Sequence, residues 1–360
     1  MRNNSTYARI SFEYCDYIYS VYVTERYEKI VKEYLKHHIY ISEFINGKQK
    51  TKNKKDFKYT FYYNIDEVAF NALYSRLDSK VLNVISPFKG EKCKLAMDDK
   101  KDYYISDNDN YIVYTHENNV IINVKETEEF DYQLLRIIRE FIYRVELDNG
   151  KTFMHGAVCE HKGESLVIIG NKASGKTSLL TYFLSCGAGY LANDRLFLSK
   201  NENEIVVQGF PIPMRISYES INKFGEKIKS EHLYRNQRFS IDKALVTPLE
   251  LSRIFNIKVY DSLNLKAIII PNIKINEEGV MVEKVSIEDV IKTLSENCYS
   301  PIDESRKTEW IVKCEKSQDE IATEAMDIIQ RICAYPIYKV TYGTENSPNE
   351  IINTICNAIA

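Results

Sequence analysis

The sequence predicts a mixed α/β (α+β) fold in two domains, and three observations carry the prediction. The chain has 360 residues, more than one ordinary core needs and enough for two. Short aromatic and β-branched runs alternate along it with amphipathic segments of near-helical period. The texture changes near residue 150: earlier there is no glycine-rich site, whereas from Thr152 onward apolar strands, tight turns and helices follow closely. The sequence therefore divides into a mixed α/β accessory region, 1–150, and an α/β domain, 151–360.

In the first region Ile10–Val23 reads as one or two strands, and Arg26–His38, with Ile30, Val31, Tyr34 and Leu35 at helical spacing, as a helix. Tyr59–Ile65 alternates as a strand and Asp66–Leu77 as a short helix. Tyr103–Ser106, Tyr111–His116 and Val120–Val124 form a meander, with turns at Asp107–Asn110 and Glu117–Asn119. Phe130–Val145 places Leu134, Leu135, Ile138, Phe141, Ile142 and Val145 on one helical face, and Asp148-Asn149-Gly150 stops it. The polar, lysine-rich segment 41–56 reads as a mobile loop. No internal repeat is present.

In the second region Phe153–Glu160 reads as a strand, His161–Glu164 as a hairpin turn and Ser165–Ile169 as the strand after it. A helix over Thr177–Phe183 follows, with Leu179, Leu180 and Phe183 as its apolar face. After Gly187-Ala188-Gly189 comes a strand, Tyr190–Asn193, which should return beside Ser165–Ile169 and carry Asp194-Arg195 at its end. Leu196–Ser199 and Ile205–Gln208 make a second hairpin, and Leu265–Ile270 a strand capped by Pro271. Glu288–Leu294, Ile321–Ile332 and Asn349–Ile359 read as helices, with a strand at Ile337–Tyr342 before the last.

Between the strand Ser165–Ile169 and the helix lies Gly170-Asn171-Lys172-Ala173-Ser174-Gly175-Lys176-Thr177, with Ser178 directly behind it. Each fixed position of this G-x-x-x-x-G-K-[ST] pattern has a physical task. The glycines allow a tight turn and close approach of backbone N–H groups to phosphate oxygens. Lys176 reaches the terminal phosphates, Thr177 offers a hydroxyl to magnesium, and the helix opening at Lys176 points its positive end at the same anion. The required strand–loop–helix context is present, so the loop implies a nucleoside triphosphate ligand.

Bulk properties narrow the partners. A formal net charge of −3 attracts neither nucleic acid nor anionic membrane, and the basic clusters Lys48–Lys55 and Lys223–Lys229 read as solvated faces. Eight scattered cysteines without a C-x-x-C pair point to reduced thiols in a cytoplasmic protein rather than to disulfides or zinc. Met1–Ser5 lacks the start of a secretory signal, and no apolar run is long enough to cross a bilayer.

Three further pieces bear on chemistry. Asp194-Arg195, at a strand end near the loop, is either a surface turn or places a carboxylate, Asp194, where it can hold magnesium or orient a nucleophile. His155-Gly156 lies on the strand before the first hairpin, where a histidine is either a hydrogen-bonded core residue or a proton carrier. Gln208–Arg215 holds two prolines around Ile212 and reads as a rigid loop, with Arg215 either exposed or able to meet a transferring phosphoryl group.

In this order and spacing, His155-Gly156, Gly170–Thr177, Leu191–Arg195 and Gln208–Arg215 resemble the kinase domain of HPr kinase/phosphorylase and its diverged relatives found with peptide-modification genes. The resemblance runs from Phe153 to the C-terminus and implies a phosphoenolpyruvate-carboxykinase-like phosphate-loop domain with a mixed sheet. It implies ATP and magnesium as cofactors, a serine hydroxyl on a peptide or protein as acceptor, and a homo-oligomer. It implies phosphate binding by Gly170–Ser178, metal binding by Thr177 and Asp194, and catalytic roles for His155, Lys176, Asp194 and Arg215. The sequence departs from the pattern at one point. The family's general base is the first Asp of an Asp-Asp pair; here that position is Asn193, whose amide cannot accept a proton. Two readings follow: a kinase in which Asp194 or His155 serves as base and residues 1–150 recognise the acceptor, or a nucleotide-binding or ATP-hydrolysing module without transfer to an acceptor. A motor or GTPase reading is weaker, because the Asn193-Asp194-Arg195 strand end differs from theirs and no guanine signature is present, which favours adenine.

Overall fold

The structure is a computed structural model that describes residues 6–41, 43–45, 55–88, 91–125, 132–217, 243–275, 277–300, 308 and 310–359. Most of the segment 41–56, nearly all of the basic cluster Lys48–Lys55, and the whole of Lys223–Lys229 lie outside the described residues. The chain forms two compact units, one of Met1–Lys36, Ile41–Val145 and Ile302–Glu315, the other of His37–Tyr40, Glu146–Pro301 and Lys316–Ala360. Both are mixed α/β.

The first unit is built on β1 (Tyr7–Tyr14), β2 (Tyr17–Thr24), α1 (Glu28–Ile39), β3 (Lys55–Ile65), α2 (Glu67–Leu77), β4 (Val81–Phe88), β5 (Glu91–Asp98), β6 (Lys101–Ser106), β7 (Tyr111–His116), β8 (Asn119–Val124) and most of α3 (Tyr132–Asp148). Its eight strands form one sheet in the order β1-β2-β3-β8-β7-β6-β5-β4, parallel at β2–β3 and β3–β8 and antiparallel elsewhere. Ile10–Val23 resolves into two strands of a hairpin, and the expected meander is β6–β8. Alternation buries Ile10, Phe12, Val21, Val23, Phe61 and Tyr63 on one face, where Phe61 meets Phe141 of α3 edge-on at 5.4 Å. The other face packs Phe70 and Leu77 of α2 against Ala96, Tyr103, Ile105 and Ile112. Asp66 starts α2 by accepting hydrogen bonds from the N–H groups of Val68 and Ala69. Strands β4 and β5 were not expected. β4 is an edge strand with Leu82 and Val84 exposed, so it carries no apolar alternation to read.

The second unit begins with β9 (Thr152–Met154), β10 (Ala157–His161), β11 (Glu164–Ile168), α4 (Lys176–Ser185), β12 (Gly189–Ala192), β13 (Leu196–Asn201), β14 (Glu204–Gly209) and β15 (Met214–Ser217). It continues with β16 (Lys243–Val246), α5 (Pro248–Phe255), β17 (Ser262–Asn264), β18 (Ala267–Lys274), β19 (Val280–Lys284), α6 (Ile287–Glu296), α7 (Gln318–Ile332), β20 (Ile337–Gly343) and α8 (Pro348–Ile359). A six-stranded mixed sheet runs β12-β10-β11-β18-β20-β19, with β11, β18 and β20 parallel. A four-stranded antiparallel sheet runs β17-β14-β13-β9, and β15 pairs with β16. Along β11 the side chains alternate between two cores. Leu166 and Ile168 pack with Leu179, Leu180 and Phe183 of α4 and Ile351, Ile352 and Ile355 of α8. Val167 and Ile169 pack on the other side with Leu196, Val207, Leu294 and Ile332. A strand buried on both faces reads as the continuous apolar run seen in the sequence.

Three expectations need correction. Phe153–Glu160 is not one strand: it breaks at His155-Gly156 into β9 and β10, which belong to different sheets. A Cβ on Gly156 would lie 3.0 Å from a Leu196 methyl and 3.1 Å from the Ile168 carbonyl, so any larger residue would have to push these neighbours aside at this close crossing. The strand after α4 does not return beside β11. β12 pairs antiparallel with β10, because the edges of β11 are already taken by β10 and β18. Pro271 does not end its strand; β18 runs on to Lys274. Ile268 donates to Pro336 on the β20 side and Ile273 to Ser174 on the other. Pro271, three residues from Ile268 and two before Ile273, therefore faces the side where β11 has already turned into the loop, and its missing N–H leaves no ladder bond unmade.

Candidate functional site

The loop Gly170–Thr177 leaves the C-terminal end of β11 and enters α4 beside the parallel strand β18. Its shape is set locally. Ser174 N–H closes a turn on the Asn171 carbonyl at 3.1 Å, Ala173 has φ +68° and Gly175 has φ +98°. Gly175 must be glycine for a second reason: a Cβ there would lie 2.7 Å from the Tyr342 hydroxyl, which donates to the Gly175 carbonyl at 3.3 Å. Tyr342 and the Ile273 N–H thus brace the loop from the sheet side.

Three features fit this loop to a phosphate-bearing ligand. Gly175 is the N-cap of α4 and brings no side-chain cap to the amides of the first turn. The Ser174 hydroxyl is buried within the loop without a hydrogen-bond partner among the described residues. The Lys176 ammonium is held at the loop by the carbonyls of Gly170, at 2.6 Å, and Asn171, at 3.1 Å. Burial pulls the Lys176 pKa below its ordinary value, and the nearby charge of Asp194 opposes that fall.

His155 and Asp194 are brought together, with His155 Nε2 3.0 Å from Asp194 Oδ1. Asp194 sits between β12 and β13, as His155 sits between β9 and β10; the chain crosses from the four-stranded to the six-stranded sheet at His155 and back again at Asp194. The pairings Val158–Ala192 and Met154–Leu196 put the two crossings side by side. Asp194 has φ +71°, an uncommon conformation for a residue other than glycine. Burial pushes its carboxyl up, but the His155 hydrogen bond and the charges of Arg195, His155 and Arg215 outweigh it and bring the pKa to about 2. Arg195 lies 3.5 Å from the second Asp194 oxygen.

Arg215 is not in the proline loop. It is an exposed position of β15, between the buried Met214 and Ile216, and it acts on Asp194 through its charge. The proline segment itself folds on a tight turn, with Ile212 N–H donating to the Phe210 carbonyl at 2.7 Å. Thr177 meets Asn193 rather than Asp194: its hydroxyl is 3.5 Å from Asn193 Oδ1. Among the described residues no three His, Cys, Asp or Glu side chains cluster as a preformed metal site. The two expected metal ligands are thus turned to different partners, the Thr177 hydroxyl to Asn193 and the Asp194 carboxylate to His155.

Sequence reasoning missed Asn297 and Tyr299. Asn297, buried at the end of α6, donates to Asn171 Oδ1 at 3.4 Å, and its carbonyl accepts from His155 N–H at 2.8 Å. Tyr299 stacks on His155, with ring centroids 5.5 Å apart and planes 11° apart. Both lie well over a hundred residues from their partners in the chain, and no local pattern marks them.

No family model matches the sequence, and no curated protein matches it. Among solved structures the chain is similar to the Hpr(Ser) kinase/phosphatase from Coxiella burnetii, at 10% identity and a TM-score of 0.27, over 57% of this chain and 95% of that one. No helix among the described residues is long and apolar enough to cross a membrane.

Proposed function

We propose that the chain is an ATP- and magnesium-dependent phosphotransferase that acts on a hydroxyl, that of a serine in a peptide or protein. The observation that carries this reading is the meeting of a complete phosphate-binding loop, Gly170–Thr177, with the His155–Asp194 pair in one unit. Bound ATP would supply the phosphoryl group, and its magnesium ion would neutralise charge on the phosphates. Lys176, Ser174 and the first-turn amides of α4 hold the phosphate chain, with Ser178 extending that turn. Thr177 and Asp194 offer oxygen ligands to the metal.

A carboxylate with a pKa of about 2 is a weak base, so Asp194 orients His155 rather than taking the acceptor proton itself. With Asp194 ionised, the hydrogen bond between them is carried by His155 Nε2–H, which leaves Nδ1 as the proton-accepting nitrogen. Arg215 adds positive charge for the phosphoryl group in flight. The mixed α/β region 1–150 serves to recognise the acceptor, and the protein acts in the cytoplasm, as a homo-oligomer, without nucleic-acid or membrane partners.

A second reading, a nucleotide-binding or ATP-hydrolysing module in a peptide-modification or regulatory pathway, is favoured by Asn193, an amide in place of the family's base. Incubation with γ-labelled ATP, magnesium and candidate serine peptides separates the two, with Lys176→Ala as control. Labelled peptide that disappears in the variant supports the kinase. Nucleotide binding with label passing only to water, or to nothing, supports the module and overturns the kinase.

A further inference from the structure

The four residues after α6, Asn297–Ser300, are stitched along β9 and the sheet crossing at His155. His155 N–H donates to the Asn297 carbonyl at 2.8 Å, Tyr299 N–H to the Phe153 carbonyl at 2.8 Å, and Phe153 N–H to the Ser300 hydroxyl at 2.8 Å. Met154 and Cys298 face each other in an antiparallel bridge. From this strap two side chains reach the site. Asn297 donates to Asn171 of the phosphate loop, with a second bond to the Thr293 carbonyl at 2.8 Å that fixes its amide. The Tyr299 ring lies against His155 at 5.5 Å and under the Arg195 guanidinium at 4.6 Å, while His155 and Arg195 both contact Asp194.

We propose that Tyr299 and Asn297 are positioning residues for this site, Tyr299 holding the His155 ring against Asp194 and Asn297 holding the phosphate loop. The inference rests on the phosphoryl-transfer reading for its kinetic consequences, while the contacts themselves can be tested without it. An imidazole hydrogen-bonded through one nitrogen still turns about that bond. A stacked aromatic plane on one side, with the carboxylate at the edge, removes this freedom and fixes the direction of Nδ1. The platform is the ring and not its hydroxyl, since the contacts to His155 and Arg195 are both to the ring. Asn297 acts on a different part, the second residue of the loop, so the two side chains influence different steps.

The test has a structural arm and a kinetic arm, both on the full chain. In the first, histidines carrying ¹³C at the ring are observed by NMR at fixed pH, and the His155 signal is assigned with His155→Gln. Stacking predicts a His155 ring proton shifted upfield by the Tyr299 ring current, kept in Tyr299→Phe and lost in Tyr299→Leu. An unshifted His155 signal in the wild-type protein overturns the proposal by itself, whatever the variants do. In the second arm, turnover of ATP is followed with peptide or water as acceptor. Tyr299→Leu lowers kcat by about a hundredfold with nucleotide KM within about twofold, and Tyr299→Phe restores kcat, as expected for lost alignment without lost binding. Asn297→Ala shows the opposite split, raising nucleotide KM about fivefold for the lost hydrogen bond with kcat little changed. Equal losses in Tyr299→Phe and Tyr299→Leu, or a reversed split, overturn it. Should the wild-type protein neither bind nor turn over ATP, the functional reading fails and the NMR arm alone decides the contact.

Discussion

His155 and Asp194 meet at 3.0 Å although 39 positions apart in numbering, because the chain changes sheets at each of them. β9 and β10 belong to different sheets, as do β13 and β12, and their pairings align the two crossings. Neither residue has a side-chain position dictated by a regular strand. That leaves both free of ladder geometry at the point where the loop Gly170–Thr177 begins its turn on the adjoining strand β11.

The acid limb of stability should report this contact. The Asp194 pKa falls from an ordinary 3.8 to about 2, below its unfolded value, so its contribution is complete above about pH 4 and is lost as pH falls towards 2. About half of the side chain meets water, and screening reduces the contribution to about 1 kcal/mol or less. Urea unfolding of the metal-free protein at pH 5, 4 and 3 should therefore show a shallower acid loss for Asp194→Asn than for wild type. Parallel pH curves would mean that the contact contributes no linkage.

Lys176→Ala should weaken magnesium–ATP binding by about 10- to 100-fold, the range expected for one or two lost charge-assisted hydrogen bonds. The melting temperature should change little, because losing the hydrogen bonds to the Gly170 and Asn171 carbonyls is offset by relief of the partly buried charge. Isothermal titration and thermal denaturation on the same preparation check both halves.

Gly175→Ala tests the bracing of the loop. The backbone there has φ +98°, which costs a residue with a Cβ about 1–2 kcal/mol. Overlap with the Tyr342 hydroxyl at 2.7 Å adds about 1–3 kcal/mol. On a Tyr342→Phe background, which removes that hydroxyl, the cost of Gly175→Ala should drop to the backbone part and the smaller crowding by Ile273, whose Cβ and Cγ2 lie 3.3 Å from the added methyl. Chemical denaturation of the four proteins in a double-mutant cycle gives the coupling directly.

Asn193→Asp places a carboxylate beside the Thr177 hydroxyl, which lies 3.5 Å from the present amide oxygen. If the site transfers phosphoryl groups with an imperfect base, transfer to a serine peptide should rise about tenfold or more with nucleotide affinity nearly unchanged. A weaker affinity without faster transfer, from the added negative charge beside the phosphates, would show that this position does not act as a base here.

Much of the local structure was legible in the sequence because its causes are local. The run Ser165–Ile169, the loop Gly170–Thr177 and the apolar face of α4 announced a strand, a tight turn and a helix from adjacent residues alone. Alternation marked β6–β8, and Asp66 marked the start of α2. β4 was hidden because an exposed edge strand need not alternate, and the break at His155-Gly156 was hidden because strand-forming residues, Thr152 and Phe153 before it and Val158 after it, flank it on both sides.

The sequence by itself determined that this chain carries the pattern G-x-x-x-x-G-K-[ST] between a strand and a helix in a mixed α/β setting, and that an amide, Asn193, stands next to Asp194. Only the tertiary structure decided what surrounds them: Asp194 turned to His155, Thr177 facing Asn193, Arg215 on a strand, and the strap Asn297–Ser300 reaching both loop and histidine. The physical reason is range. A turn or a helix start depends on dihedral angles and hydrogen bonds within a few residues. A crossing between sheets depends on which strand edges are already occupied, and that is settled by pairings between segments far apart in the chain.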